Sequence, residues 1–434
     1  MEGIRIGLQG AGSAVVDAYG VVHPDGWRGE SCGWWLAASD KWHDPRTSPS
    51  VRQQRIDGTP VVQTKIGVPG GDVVQRVFVV ADRGGRLVMQ VSNESPEPVA
   101  VAVPTREMSS TAAAGASRPQ GIDTPEQVMA FPLSHRGSIT FTWPLALARF
   151  RKTAPIDASL LPSPDQVARG WVLTSDRASR VAPEAATLVA ARCEISLTTA
   201  HEIDELLDAD PARGMLTIAE RVRMGDNPQE WTSQLADAAR RVAKHPQRSP
   251  WTSRALVMAA RTLLVASETL AADDVVELWQ RTNVSHSSAA ADSGDTAGAI
   301  DRAVDCAIDR VAAIEQRFVR AVSRTSAVVL PTGIPDAWRG VSVEAHGLVA
   351  SPHHRISLAL RWHAANVALL WEIDGPPGLS LSAPLVDAKF QTTELQAKRC
   401  CRWPREACFG TTTGEKASVV GLGAFIAGCR VWCG

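Results

Sequence analysis

Between residues 4 and 105, apolar and polar positions alternate in short runs broken by turn residues, the pattern of antiparallel strands with one face buried. Residues 14–17 and 20–23 read as two strands around a turn. Residues 60–68 are rich in β-branched side chains and end in Pro69-Gly70-Gly71, a turn signal, and 73–80 is the returning strand. Arg83-Gly84-Gly85 turns the chain again, and 87–91 and 99–103 continue the meander. Residues 108–122 are small and polar, a linker, and strands resume at 128–133 and 138–143. These regular strands predict an antiparallel β-sandwich over residues 1–175.

From Pro183 the period becomes helical. Thr199 with Glu202 three residues later is a capping-box pattern. Helical runs cover 183–197, 214–224, 228–244, 251–267 and 272–280. Residues 285–298 read as a Ser/Ala/Asp loop. Ile300, Val304, Ile308, Val311, Ile314, Phe318 and Val322 then lie on one face of an amphipathic helix over 299–324. Strand patterns return at 327–330, 341–346, 356–363 and 367–373. The predicted fold class is therefore multidomain α+β. An N-terminal antiparallel β-sandwich is followed by a helical region at 183–325 and a small β-sandwich at 326–396. A hexapeptide echo, Pro24-Asp25-Gly26-Trp27-Arg28-Gly29 and Pro335-Asp336-Ala337-Trp338-Arg339-Gly340, reads as one turn used twice to tuck a Trp onto a sheet.

Composition narrows the function classes. In 434 residues, Lys+Arg 45 cancels Asp+Glu 46, so no global basic field points to nucleic acid. Basic residues are nearly all Arg and Ala is abundant, the imprint of a GC-rich genome, which weakens any step from Arg content to phosphate binding. The first residues lack the apolar core of a signal peptide, and no run reaches the ~18 apolar residues a bilayer span needs. Cys32, Cys193 and Cys306 are too widely spaced for a disulfide framework. The expectation is a cytoplasmic protein with no membrane, metal or cofactor. Oligomeric state is not legible.

The β–α–β order resembles the six-hairpin glycosidase layout, in which a β-supersandwich precedes an α/α toroid and a small sandwich closes the chain. Residues 60–72 are similar to the sandwich hairpin of such proteins. Residues 330–340, then Val343-Glu344-Ala345-His346-Gly347 and Leu360-Arg361-Trp362-His363, are similar to their closing domain. To about Gln396 the chain resembles an uncharacterised bacterial family of this plan. The resemblance implies a partial toroid, because residues 183–324 hold roughly half the helices of a full one, and half a toroid forms no funnel-shaped active site.

Glycoside hydrolysis requires two carboxylates ~5–10 Å apart, one kept protonated. The helical region offers Glu202, Asp204, Glu205, Asp208, Asp210, Asp226, Glu230, Asp273, Asp274 and Glu277, mostly at helix starts or on polar faces, where capping and solvation explain them. Gly7-Leu8-Gln9-Gly10-Ala11-Gly12 lacks the following helix that a dinucleotide fingerprint needs. Glu344, His346, His353, His354 and His363 gather in the closing domain as hairpin residues. The segment 32–45 carries the richest chemistry. There Trp35, Trp42 and His43 are placed to line a groove, with Asp40 and Asp44 accepting hydroxyl hydrogens, because a Trp face stacks on sugar C–H groups while its N–H donates. The alternative is that these Trp fill the sandwich.

After Gln396 the chain changes character, and five of its 8 Cys fall in the last 35 residues. Written in GC-rich codons, residues 397–401 read GCG AAG CGC TGC TGC. Shifting the frame to take in the last base of the Gln396 codon gives Gly-Glu-Ala-Leu-Leu, as the resembling family continues here. Residues 397–434 are thus expected to be a frameshifted or disordered tail. The functional expectation is a non-catalytic carbohydrate-binding or scaffold protein on a degenerate glycosidase plan. A glycoside hydrolase-like enzyme and a protein-interaction module are the alternatives. The expected partner is a glycan or small carbohydrate.

Overall fold

The computed structural model describes residues 3–9, 11–27, 29–111, 116–117, 127–145, 160–244, 249–287, 306–363 and 366–402. Sheets come first, eight helices follow among the described residues, and two further sheets close a multidomain α+β chain. Parts of the expected 108–122 linker, most of the 285–298 loop, Ile300, Val304 and residues 403–434 lie outside the described residues.

The N-terminal half holds sheets of three, five and six strands. In the six-stranded sheet, Val62–Val68, Gly71–Val80, Arg86–Asn93 and Ser138–Pro144 are successive antiparallel neighbours. Val68 pairs with Gly71, leaving Pro69-Gly70 as a two-residue turn with Gly70 at φ 78°. Proline presets the first turn position and glycine alone adopts the second without strain. Inward side chains of all three sheets, among them Ile6, Val16, Leu36, Val77, Phe131 and Trp143, form one core. Both faces of strand Gly71–Val80 are covered. Val77 and Val79 enter that core, whereas Phe78 and Val80 pack outward against Ala168 and Val167.

Those two residues belong to α1 (Pro164–Ala178). The helical region therefore begins before the expected onset at 183, within the span assigned to the sandwich. Its start was readable. Ser163 accepts from the backbone N–H of Gln166, whose side chain accepts from the Ser163 N–H, and Pro164 occupies the first helical position. The other helices are α2 (Ala185–Ser196), α3 (Ala200–Ala209), α4 (Pro211–Met224), α5 (Thr232–Lys244), α6 (Thr252–Val265), α7 (Thr269–Ser287) and α8 (Ala307–Phe318). The Thr199–Glu202 capping box opens α3 as expected. The helix expected to continue to 324 stops at Phe318, because the β-branched Val319 and Val322 sit in a strand, Val319–Ser323, that pairs with Ser326–Val329.

The closing sheets have five and four strands. Arg180–Ala182, between α1 and α2, supplies one edge of the five-stranded sheet by pairing with Val343–Ser351. Gln396–Arg402 supplies the other edge by pairing along Asn366–Asp374. The break expected after 396 thus falls within a strand, held by backbone pairing and by an Arg399–Asp387 ion pair of 3.1 Å. The helices and both closing sheets share one apolar core running from Ala178 to Phe390. The hexapeptide echo is one local structure used twice. Asp25–Trp27 and Asp336–Trp338 are single 3₁₀ turns, both Trp are 4% exposed, and Gly29 and Gly340 follow at positive φ.

A charge cluster lies inside the shared core. Arg192 of α2 donates to Glu220 of α4 at 2.6 Å and to Glu315 of α8 at 2.9 Å. Arg223 of α4 donates to Glu220 at 2.6 Å, to Glu315 at 2.9 and 3.1 Å and to the Ala178 carbonyl at 2.8 Å. Arg254 of α6 pairs with Glu315, which also accepts from the Ser179 hydroxyl at 2.5 Å. Three guanidinium groups thus surround two carboxylates where four helices meet.

Candidate functional site

The segment carrying the candidate residues is shaped by strand alternation. Cys32 exchanges both backbone hydrogen bonds with Val22, at 3.1 and 2.7 Å, which fixes the entry of the chain. Consecutive Trp side chains then point to opposite faces. Trp34 enters the main sandwich core, and its indole N–H donates to the Tyr19 carbonyl at 3.1 Å. Trp35, on the strand Trp35–Ala37, lies on the other side with Ala102 and Val128, flanked by Trp42. Gly33 is required beneath it, because a Cβ there would meet the Trp35 ring at 2.9 Å.

The five candidates divide in two. Asp40 and His43 close a hairpin turn, with His43 Nε2 3.0 Å from an Asp40 carboxylate oxygen. That hydrogen bond and the neighbouring backbone N–H groups hold the Asp40 carboxyl below its ordinary range. Trp42 pairs with Ala37 and packs beside Trp35. Trp35 and Asp44 line a cavity of about 530 Å³, whereas Asp40, Trp42 and His43 are not among its lining residues. Trp35 is only 4% exposed, so it closes the wall rather than offering an open platform.

Other elements complete the cavity. Asp44 accepts three hydrogen bonds from the Arg46 guanidinium, at 2.7, 3.1 and 3.2 Å, and one from the Arg46 backbone N–H at 2.9 Å. The guanidinium carbon of Arg46 stands 6.0 Å from the Trp35 ring centroid, within cation–π range. Burial works against ionisation of Asp44, but these Arg46 contacts and the facing Trp35 indole outweigh it and hold the carboxyl below its ordinary range. The Trp35 N–H itself is buried without a hydrogen bond of good geometry. Across the opening Arg106 pairs with Glu30, and Gln127 completes the rim. Sequence reasoning missed Glu30, Arg46, Arg106 and Gln127. Arg46, two residues from Asp44, was within reach, whereas Arg106 and Gln127 arrive from loops that only the fold brings close.

Elsewhere the carboxylates act locally. Glu202 caps α3 and pairs with Arg5 at 3.0 Å, Asp210 caps α4, and Asp208 pairs with Arg241 at 2.9 Å. A second cavity, in the crevice between sandwich and helices, is lined by one carboxylate among the described residues, Asp226, which pairs with Arg221 at 2.7 Å. In the closing domain, His354 is a buried hairpin residue, bonded to the Ser351 hydroxyl at 2.6 Å and the Pro376 carbonyl at 2.8 Å. Glu344 is held by Arg361 and by His346 at 3.3 Å. Among the described residues no three His, Cys, Asp or Glu side chains converge to hold a metal ion, and no helix is long and apolar enough to cross a membrane.

No family model matches the chain, and no curated protein matches it. Among solved structures, the chain is similar to a bacterial glucoamylase complexed with acarbose, at 8% identity and a TM-score of 0.27, over 65% of this chain and 68% of that one.

Proposed function

We propose that the protein is a non-catalytic carbohydrate-binding protein and that a neutral glycan occupies the cavity beside Trp35. The pairing of its charges carries this reading. Asp44 with Arg46 and Glu30 with Arg106 present carboxylate acceptors and guanidinium donors around one opening, and the two pairs cancel in charge. A polyol is matched by such an alternation, because each hydroxyl both donates and accepts. A strongly charged ligand would break a pair to bind. The volume is that of a small-molecule site.

The hydrolase alternative would need a carboxyl kept protonated. Asp44 is displaced in the opposite direction by Arg46, which suits it to accept hydrogen bonds throughout the neutral range.

A glycan array followed by titration calorimetry tests the reading. Wild-type protein is expected to bind neutral glycans. Arg46→Met and Asp44→Asn should each weaken binding about tenfold or more, the value of a hydrogen bond to a charged group. Arg46 is 54% exposed, so the fold should tolerate its loss. Neutral glycans ignored by folded protein, or bound equally by both variants, would remove the proposal. Release of reducing sugar would favour the hydrolase.

A further inference from the structure

The second cavity, of about 550 Å³, opens where α1 lies across the six-stranded sheet. Its walls are mostly apolar, formed by Leu8, Val79, Val80, Val167 and Met224, with Trp171 of α1 on one side. Trp171 makes no hydrogen bond through its indole N–H among the described residues. Two charges reach the cavity, and they differ in how they are satisfied. Asp226 receives Arg221 at 2.7 Å and the Gln9 amide at 3.1 Å, so its charge is already balanced. Arg177, exposed at the mouth, makes one long hydrogen bond, 3.5 Å, to the Met224 carbonyl. Arg221, behind the wall, already balances Asp226, so among the described residues Arg177 is left as one uncompensated positive charge beside an apolar chamber.

We infer that this crevice is a binding site for a small amphipathic monoanion, an aromatic or aliphatic carboxylate whose apolar body fills the chamber beside Trp171 and whose carboxylate meets Arg177. Ligand sites favour domain junctions with apolar walls and a few convergent polar groups, and a guanidinium recognises a carboxylate through two parallel N–H donors. The site is independent of the cavity beside Trp35: the two share no lining residue.

Gly170 provides a clean block. It lies on α1 at the cavity wall, and a Cβ added there meets nothing within 4 Å. Gly170→Leu therefore adds bulk at the cavity wall where its Cβ meets no neighbour. The probes are 4-phenylbutyrate, the matched alcohol 4-phenylbutanol and the matched amine 4-phenylbutylamine, titrated calorimetrically into the full chain. The acid is expected to bind saturably, the alcohol about tenfold more weakly and the amine more weakly still. Arg177→Gln should bring acid and alcohol to equal affinity, and Gly170→Leu should abolish binding while leaving circular dichroism and melting temperature intact. Equal binding of the three probes, acid binding unchanged in either variant, or no saturable binding of the acid would each overturn the assignment. If Gly170→Leu fails to fold, the charge series and Arg177→Gln still decide.

Discussion

Glu315→Ala is expected to cost about 3–5 kcal/mol, read as a lower urea midpoint at pH 7, because removing one partner from a buried ion cluster leaves the other charges uncompensated. Three guanidinium groups, Arg192, Arg223 and Arg254, converge on this fully buried carboxylate. Without it, among the described residues, Glu220 is left to face Arg192 and Arg223, and Arg254 has no carboxylate paired with it. The effect also has a pH signature. Burial opposes the charge of Glu315, but Arg223, Arg254 and Arg192 overwhelm that opposition and hold its pKa far below the unfolded value. A depressed carboxyl stabilises the fold fully above the unfolded pKa, about 4.3, and loses that contribution as pH falls toward the folded value. The gap between wild type and Glu315→Ala should therefore be constant from pH 5 to 8, with no dependence on neutral-range titration, and should narrow below about pH 4. A gap that widened on acidification would mean that the carboxylate is not stabilised by its arginines.

Gly58→Val should separate the sandwich from the helices. Gly58 is at φ 73°, and a Cβ there would stand 2.5 Å from the Ala186 carbonyl oxygen of α2. The left-handed conformation costs a side chain about 1–2 kcal/mol, and overpacking against backbone adds about 1–3 kcal/mol. The neighbouring ion pairs, Arg55–Glu194 at 3.1 Å and Arg5–Glu202 at 3.0 Å, are partly exposed and too weak to restore the contact. Calorimetric unfolding is expected to split, with the sandwich transition detached from that of the helices. A single transition at the wild-type temperature would show that α2 yields without cost.

Much of the fold was legible where one periodicity dominates. The meander strands from Val62 to Asn93 pair as their alternation requires, and α3 starts at its capping box. The misses have physical reasons. In α1 the apolar side chains are sparse, since the helix lies across an outer sheet face and buries only part of its length, so the readable signal was its cap and not its period. Strands such as Trp35–Ala37 and Trp42–His43 are too short to show a period, and sheet neighbours hold them in place. Residues 32–45 were singled out for their chemistry, and Trp35 and Asp44 do bound a cavity. The sequence could not tell that Trp34 and Trp35 diverge, or that Arg106 and Gln127 would face them from loops far along the chain.

The two cores differ in when their parts become available. Every strand of the sandwich core has been synthesised once Pro144 is added. The core that buries Leu188 of α2 is complete only with Phe390. At about 5–20 residues per second, that interval lasts roughly 10–40 s. During it the helices carry an apolar face whose covering sheets are not yet complete, while every strand of the sandwich core is already present. The second half of the chain therefore leaves its apolar surface uncovered for longer during synthesis than the first.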